Sequence, residues 1–226
     1  MREVRPAFLF DLDGTLVDSV YQHVLAWHEV LGEAGINLSV WRIHRRIGMS
    51  GGLFVNALMR ETGKHLSADQ AKQLRDKHAQ AFVRRSREVH PLPGAHDLLS
   101  TLTRLDVPWA IATSGSPTTA GPTIAMLRVE PKAVITREDV RHAKPDPDLF
   151  LAAADRLGVD IGQCIVVGDS VWDLLAAQRA RSLGVGLLSG GYGREELQQA
   201  GAYRVYEDPR DLHEHLDEVG VRDSPS

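Results

Sequence analysis

Cysteine is almost missing from this chain. A single one, Cys164, occurs among 226 residues, which excludes an internal disulfide. It stands in the apolar run CIVVG, where a buried and inert thiol is expected, and a reducing interior suits such a chain. A surplus of positive charge is missing too. The formal net charge is −4, so no basic field draws a nucleic-acid backbone, and Arg84, Arg85 and Arg87 read as a solvated helix end. No nucleic-acid partner is expected. Long hydrophobic runs are also lacking. The N-terminal MREVRPAFLF meets aspartates within a few positions of its apolar stretch, too early for a signal-peptide core or a spanning helix. A cytoplasmic protein with no membrane partner is expected. No repeat or low-complexity tract interrupts the chain, and its 43% hydrophobic and 25% charged residues match ordinary globular composition.

What the sequence does have is a series of short apolar runs bounded by turn residues. AFLF precedes Asp11, VPWAIA precedes Thr113, AVI precedes Thr136, CIVV precedes Gly168, VGLL precedes Ser189, and YRVY begins at Tyr203. Each reads as a strand buried on both faces. Between them lie segments of helical spacing, such as Leu98, Leu99, Leu102 and Leu105, or Leu149, Phe150, Ala153, Ala154 and Leu157. The alternation predicts an α/β fold with a Rossmann-like parallel sheet. From 19 to 90 the pattern changes to helical periodicity without a strand, which predicts an all-helical cap inserted into a core of residues 1–18 and 91–226. Ser19 to Gln22 and Ser67 to Gln70 each fit a capping box, and Pro91-Leu-Pro-Gly94 returns the chain to the core. The tail beyond Val219 is expected to fray.

Ligands of open parallel sheets bind beyond the carboxyl ends of the strands. The residues expected there are Asp11 and Asp13, then Thr113, Ser114 and Gly115, then Asp169 and Asp173, with Lys144 opening AKPDPDLF. Clustered carboxylates repel unless a cation or a proton intervenes, and oxygen-only ligands favour Mg²⁺. A carboxylate at Asp11 so neutralised can attack phosphorus to give an aspartyl-phosphate. Asp13, two residues on along an extended strand end, points to the same side and can serve as general acid and then base. Gly14 permits close backbone approach, Thr15 can hold the turn, and Thr113 with the amides of Ser114 and Gly115 suits phosphoryl oxygens beside the charge of Lys144.

The segments Asp11-Leu-Asp-Gly-Thr-Leu-Val-Asp-Ser, Thr113-Ser-Gly, Lys144-Pro and Gly168-Asp-Ser-Val-Trp-Asp173, in that order, resemble the four motifs of the haloacid dehalogenase-like hydrolases. The resemblance spans nearly the whole chain. It implies a helical cap after the first motif, Mg²⁺ dependence, and phosphatase or phosphomutase activity on a small phosphorylated metabolite, either a sugar phosphate or one like phosphoglycolate. It implies Asp11 as nucleophile and metal ligand, Asp13 as acid/base with its carbonyl on the metal, Thr113 and Lys144 as phosphate contacts, and Asp169 as a metal ligand. Asp173 is either a further ligand or the cap of a helix starting at Ser170, and Asp146-Pro147 fits an N-cap followed by proline.

In the insert, Arg45, Arg46, Gly48, Ser50, Gly51 and Gly52 form either a lid surface touching a second substrate group or a plain helix–helix turn. His23 and Trp27, at helical spacing in DSVYQHVLAW, are similar to a part of the β-phosphoglucomutases and keep a hexose phosphomutase as the alternative. Gly168 stands where those mutases carry a glutamate, which favours hydrolysis. A phospho-aspartate signalling receiver is the third reading, against which stand the length, the insert and Asp13. Arg46 and His23 are the expected cap contacts to substrate, and either a monomer or a homodimer is compatible with the sequence.

Overall fold

The computed structural model describes residues 6–222. The strands are β1 (Ala7–Phe10), β2 (Val17–Asp18), β3 (His90–Pro91), β4 (Trp109–Ala112), β5 (Val134–Ile135), β6 (Cys164–Gly168), β7 (Leu183–Leu187) and β8 (Ala202–Tyr206). The helices are α1 (Val20–Glu33), α2 (Val40–His44), α3 (Gly51–Thr62), α4 (Ala68–Arg85), α5 (Ala95–Arg104), α6 (Pro117–Met126), α7 (Asp148–Leu157), α8 (Val171–Ala180), α9 (Arg194–Gln199) and α10 (Pro209–Glu214).

Six strands make one parallel sheet in the order β5-β4-β1-β6-β7-β8. All four residues of β1 are buried, as its unbroken apolar run requires. Phe8 and Phe10 point to one face, where they join Trp109, Ile111, Leu98 and Leu102 of α5, and Leu212 of α10. Ala7 and Leu9 point to the other, against Ala110, Ala112 and the Leu149 and Phe150 of α7. The period of two thus feeds two cores, one on each side of the sheet. Phe10 stacks on Phe8 and meets the Trp109 ring edge-on, and truncating such a fully buried ring to alanine costs about 3–5 kcal/mol.

Because the chain leaves β1 for one side of the sheet and returns to the other at β6, a crevice opens beyond the ends of β1, β4 and β6. Helices α1 to α4 stand above that crevice between β2 and β3, and these two short strands pair antiparallel, Val17 with Pro91 and Asp18 with His90.

The capping box at Ser67 is formed: Ser67 Oγ accepts from the Gln70 amide, and the Gln70 side chain accepts from the Ser67 amide. Ser19 differs. It occupies the N-cap of α1 but makes no side-chain cap bond, because its hydroxyl is drawn to Asp13 instead, and the Gln22 side-chain oxygen is buried without a partner among the described residues. Asp146 does not cap α7 either. The helix begins one residue later than expected with Pro147 at its N-cap, and Asp146 faces Arg179. At the C-terminal end Val221 is buried rather than frayed. The rest of the expected loose tail, 223–226, lies outside the described residues, as do residues 1–5 of the N-terminal segment MREVRPAFLF. No helix among the described residues is long and apolar enough to cross a membrane.

Candidate active site

The three strand ends of the crevice deliver their side chains to one place. Asp11 follows β1, and its amide continues the ladder by donating to Val167 O at 2.9 Å, which fixes the carboxylate at the sheet's edge. Lys144 is fully buried and donates from Nζ to Asp11 Oδ1. The same Nζ lies 2.7 Å from Asp173 Oδ1 and 5.2 Å from the centre of the Phe150 ring. Asp173 also caps α8, since its Oδ2 accepts from the Ser170 amide at 3.1 Å and from the Ser170 hydroxyl at 2.5 Å. Of the two readings of Asp173, metal ligand or helix cap, the cap is formed by one oxygen, while the other oxygen faces Lys144.

Asp169 completes the group. Thr15 Oγ1 donates to its Oδ1 at 3.0 Å. Carboxylate oxygens of Asp11, Asp169 and Asp173 lie within 4.8 Å of one another, all three residues buried. Burial, aided by the charges of Asp173 and Asp13, pushes Asp11 up to about 7 although Lys144 pulls it down. Burial, with the charges of Asp173 and Asp11, holds Asp169 well above its usual range. Burial works against the charge on Lys144, yet Asp11 and Asp173 outweigh it and raise the ammonium further. One lysine against three buried carboxylates leaves an excess of negative charge. An all-oxygen set of this kind fits a hard divalent cation, so the residues present fit Mg²⁺.

Asp13 is set apart from that trio. Its Oδ1 accepts from Ser19 Oγ at 2.6 Å and lies 3.2 Å from His23 Nε2. Burial opposes its ionisation, but the contacts with His23 and Ser19 prevail and hold it below the ordinary aspartate value. His23 Nδ1 in turn lies 3.2 Å from His78 Nε2 on α4. Desolvation, together with His23, keeps His78 well below its usual value. His23 stacks on Phe82, and His78 stacks on Trp27.

Asp11, Asp13, Thr113, Ser114 and Gly115 line one side of a cavity of about 670 Å³, whose other wall is formed by the helices over the crevice, including His23, Arg46 and His78. The Ser114 hydroxyl has no partner there among the described residues. Three expected substrate contacts sit differently. The Gly115 amide is taken, because it donates to Thr113 Oγ1 at 2.9 Å. Gly14, at φ +85°, does not line the cavity. It packs on Asp169, where a Cβ would come within 2.6 Å of Oδ2, so glycine is needed there for both conformation and space. Arg46 reaches the wall, but its guanidinium is committed to Glu61 and to the Arg42 carbonyl. Arg45 turns away to Glu196 and Tyr192. Trp27, like His23, lines the cavity.

Sequence reasoning missed Ser19 as a partner of Asp13, His78 as a partner of His23, and Ser189, whose hydroxyl donates to Gly14 O at 2.6 Å. Ser19 lay within the first motif and was readable as a polar neighbour of Asp13. Nothing in a single sequence pairs 23 with 78 or 14 with 189.

Known proteins match this geometry. The family model of the haloacid dehalogenase-like hydrolases matches residues 6–181. Hexitol phosphatase A of Escherichia coli is 35% identical over 185 residues, 76% of this chain and 78% of that protein. The phosphoglycolate phosphatase of Caulobacter vibrioides is 29% identical over 212 residues, covering 92% and 86% respectively. The crystal structure of a hydrolase from Pseudomonas syringae superposes with a TM-score of 0.94 at 53% identity, over 96% of this chain and all of that one. From the acidic strand ends, the buried lysine and these likenesses together, the chain belongs to the haloacid dehalogenase-like hydrolases, as an enzyme of their phosphatase branch.

Proposed function

We propose that the protein is a Mg²⁺-dependent phosphatase that hydrolyses a small phosphate monoester, a sugar phosphate or a phosphoglycolate-like compound, through an aspartyl-phosphate on Asp11. The observation that carries this reading is Asp11, which lines the cavity together with Asp13 and is held from behind by the fully buried Lys144 that bridges it to Asp173. In the first half of the reaction an Asp11 oxygen bonds to phosphorus while the bond from phosphorus to the leaving oxygen breaks, and Asp13 gives that oxygen a proton. In the second half Asp13 takes a proton from water as the water oxygen bonds to phosphorus, and the bond to Asp11 breaks. Phosphate leaves and both aspartates are restored. Asp11, Asp169 and Asp173, with the Asp13 carbonyl, would hold Mg²⁺, which supplies positive charge to the phosphoryl oxygens when bound. Lys144, Thr113 and Ser114 orient and stabilise the transferring group.

Residues 1–18 and 91–226 form the catalytic core in this reading, and 19–90 the cap whose closure excludes water. The hydrogen bonds from Ser19 and His23 keep Asp13 placed toward the leaving oxygen. A mutase is disfavoured by packing at Gly168, where a Cβ would lie 2.3 Å from the Asp173 Cβ and leave no room for a glutamate. The test is phosphate release from a panel of phosphorylated metabolites with Mg²⁺. The wild type should turn over at least one and Asp11→Asn none. Silence of the wild type across the panel, or full activity in Asp11→Asn, removes the proposal.

A further inference from the structure

The cavity over Asp11 is far larger than a phosphoryl group, so its outer half holds the rest of the substrate. The lysine and arginine side chains there already have hydrogen-bonding partners, with one exception among the described residues. Arg46 is neutralised by Glu61, Lys72 pairs with Asp76 at 2.7 Å, and Arg137 donates to the Val140 carbonyl at 2.9 Å. Arg75 lines the same cavity from α4, half-buried, and no hydrogen bond or ion pair engages its guanidinium among the described residues. It lies three residues before His78, so both stand on one face of the helix, above the acid/base.

A second observation concerns the residue across from it. Gly51 opens α3 with no positive φ, so its backbone does not demand glycine. Its missing side chain has another reason: a Cβ there would lie 3.0 Å from Arg75 Cδ and 3.4 Å from Cγ. The bare start of α3 is the channel along which the Arg75 stem runs into the cavity.

We propose that Arg75 determines specificity by binding a second negative charge on the substrate, so that the alcohol part of the phosphate monoester carries a carboxylate or another phosphate. The inference rests on the phosphatase reading of the site. A guanidinium offers paired donors matched to either anion, and a neutral polyol leaves that charge unmet.

Three substrates test it with the Mg²⁺-loaded enzyme: 2-phosphoglycolate, a sugar bisphosphate, and glycerol phosphate as the neutral arm. The wild type should favour one of the two anionic substrates over glycerol phosphate by tenfold or more in kcat/KM, which also tells carboxylate from phosphate. Arg75→Gln should raise KM for that substrate 10- to 100-fold with kcat within threefold, and cut the preference ratio at least tenfold. Arg75→Lys should recover part of the ratio. Gly51→Ala, which crowds the Arg75 stem, should move it in the same direction as Arg75→Gln. A wild type that prefers glycerol phosphate, or an Arg75→Gln ratio equal to that of the wild type, overturns the proposal. If the wild type releases phosphate from none of the three, the phosphatase reading is in question, and calorimetric binding of 2-phosphoglycolate then decides Arg75 separately. Tenfold weaker binding in Arg75→Gln upholds the role, and equal binding refutes it.

Discussion

Replacing Lys144 by methionine keeps the length of the side chain and deletes its charge, at a position with no solvent access. The ammonium lies 2.7 Å from Asp173 Oδ1 and bonds directly to Asp11. At an effective dielectric constant of 20, the contact with Asp173 alone amounts to about 6 kcal/mol of gross attraction. Much of that offsets the desolvation of the charges, and removing one partner of a buried pair usually costs about 3–5 kcal/mol net. For a chain of this length each kcal/mol lowers Tm by about 2–4 °C, so Lys144→Met should melt roughly 6–20 °C below the wild type. The comparison is made in chelator at pH 8 by scanning calorimetry. The pH dependence follows from the sign of the remaining charges. Burial already holds Asp11 and Asp169 above the values they have in an unfolded chain, and loss of the lysine raises them further. The folded variant therefore binds protons that the unfolded chain releases, and its stability grows as pH falls from 8 toward 5. The gap to the wild type should narrow over that range. Turnover with saturating Mg²⁺ should fall about 10²- to 10³-fold, the usual loss on removing one preorganised electrostatic contact. An unchanged Tm at pH 8, or turnover within threefold of the wild type, would refute this account of the buried lysine.

Further outcomes concern Asp11 and its neighbour Asp13. In the metal-free wild type, Asp11 near 7 against an unfolded value near 3.8 means that stability declines as pH rises from about 4 to about 7. Mg²⁺ at 100 times its Kd should return about 2.7 kcal/mol at pH 8, and a flat pH profile, or no rise in Tm with Mg²⁺, would contradict the charge cluster. Ser19→Ala removes the 2.6 Å bond to Asp13, a contact to a charged group of a kind worth about 1.5–3 kcal/mol. Because that bond helps hold Asp13 low, its loss lets Asp13 keep its proton to higher pH; since Asp13 gives a proton in the first half of the reaction, the alkaline limb of the kcat/KM profile should move to higher pH, and an unmoved limb would show that Ser19 does not govern Asp13.

Most of the sheet was legible because its inner strands are buried on both faces, which turns each into a continuous apolar run that ends at a polar residue; β8, expected to be buried likewise, is an edge strand with Tyr203 and Arg204 exposed. AFLF, CIVV and AVI mark β1, β6 and β5 by that signal alone. Asp11 and Asp169 were legible for the same reason, since a strand end fixes where the next residue points, whereas Lys144, nine residues beyond β5, and Asp173, in the first turn of α8, were legible only from the order of the motifs. The upper half of the cavity was not. Whether an arginine in the insert faces a substrate or a glutamate depends on how helices distant in sequence meet: Arg46 turned out to be held by Glu61, while Arg75 stands open beside Gly51. Ser19 was misjudged because a hydroxyl before a helix fits two partners equally well on paper. Only the fold brings the Asp13 carboxylate closer to it than the amides of α1.

The two-residue ribbon of β2 and β3 has a consequence for how such an enzyme can change. Val17 and Asp18 sit directly across from Pro91 and His90, so the chain departs from the sheet and rejoins it at neighbouring points. Everything between is a cassette whose two ends already touch. A different run of helices with ends equally close could be spliced in without shifting Asp11, provided it again offered Asp13 the partners that Ser19 and His23 now supply. The wall of the cavity opposite Asp11 can thus be replaced while the sheet beneath it keeps its place.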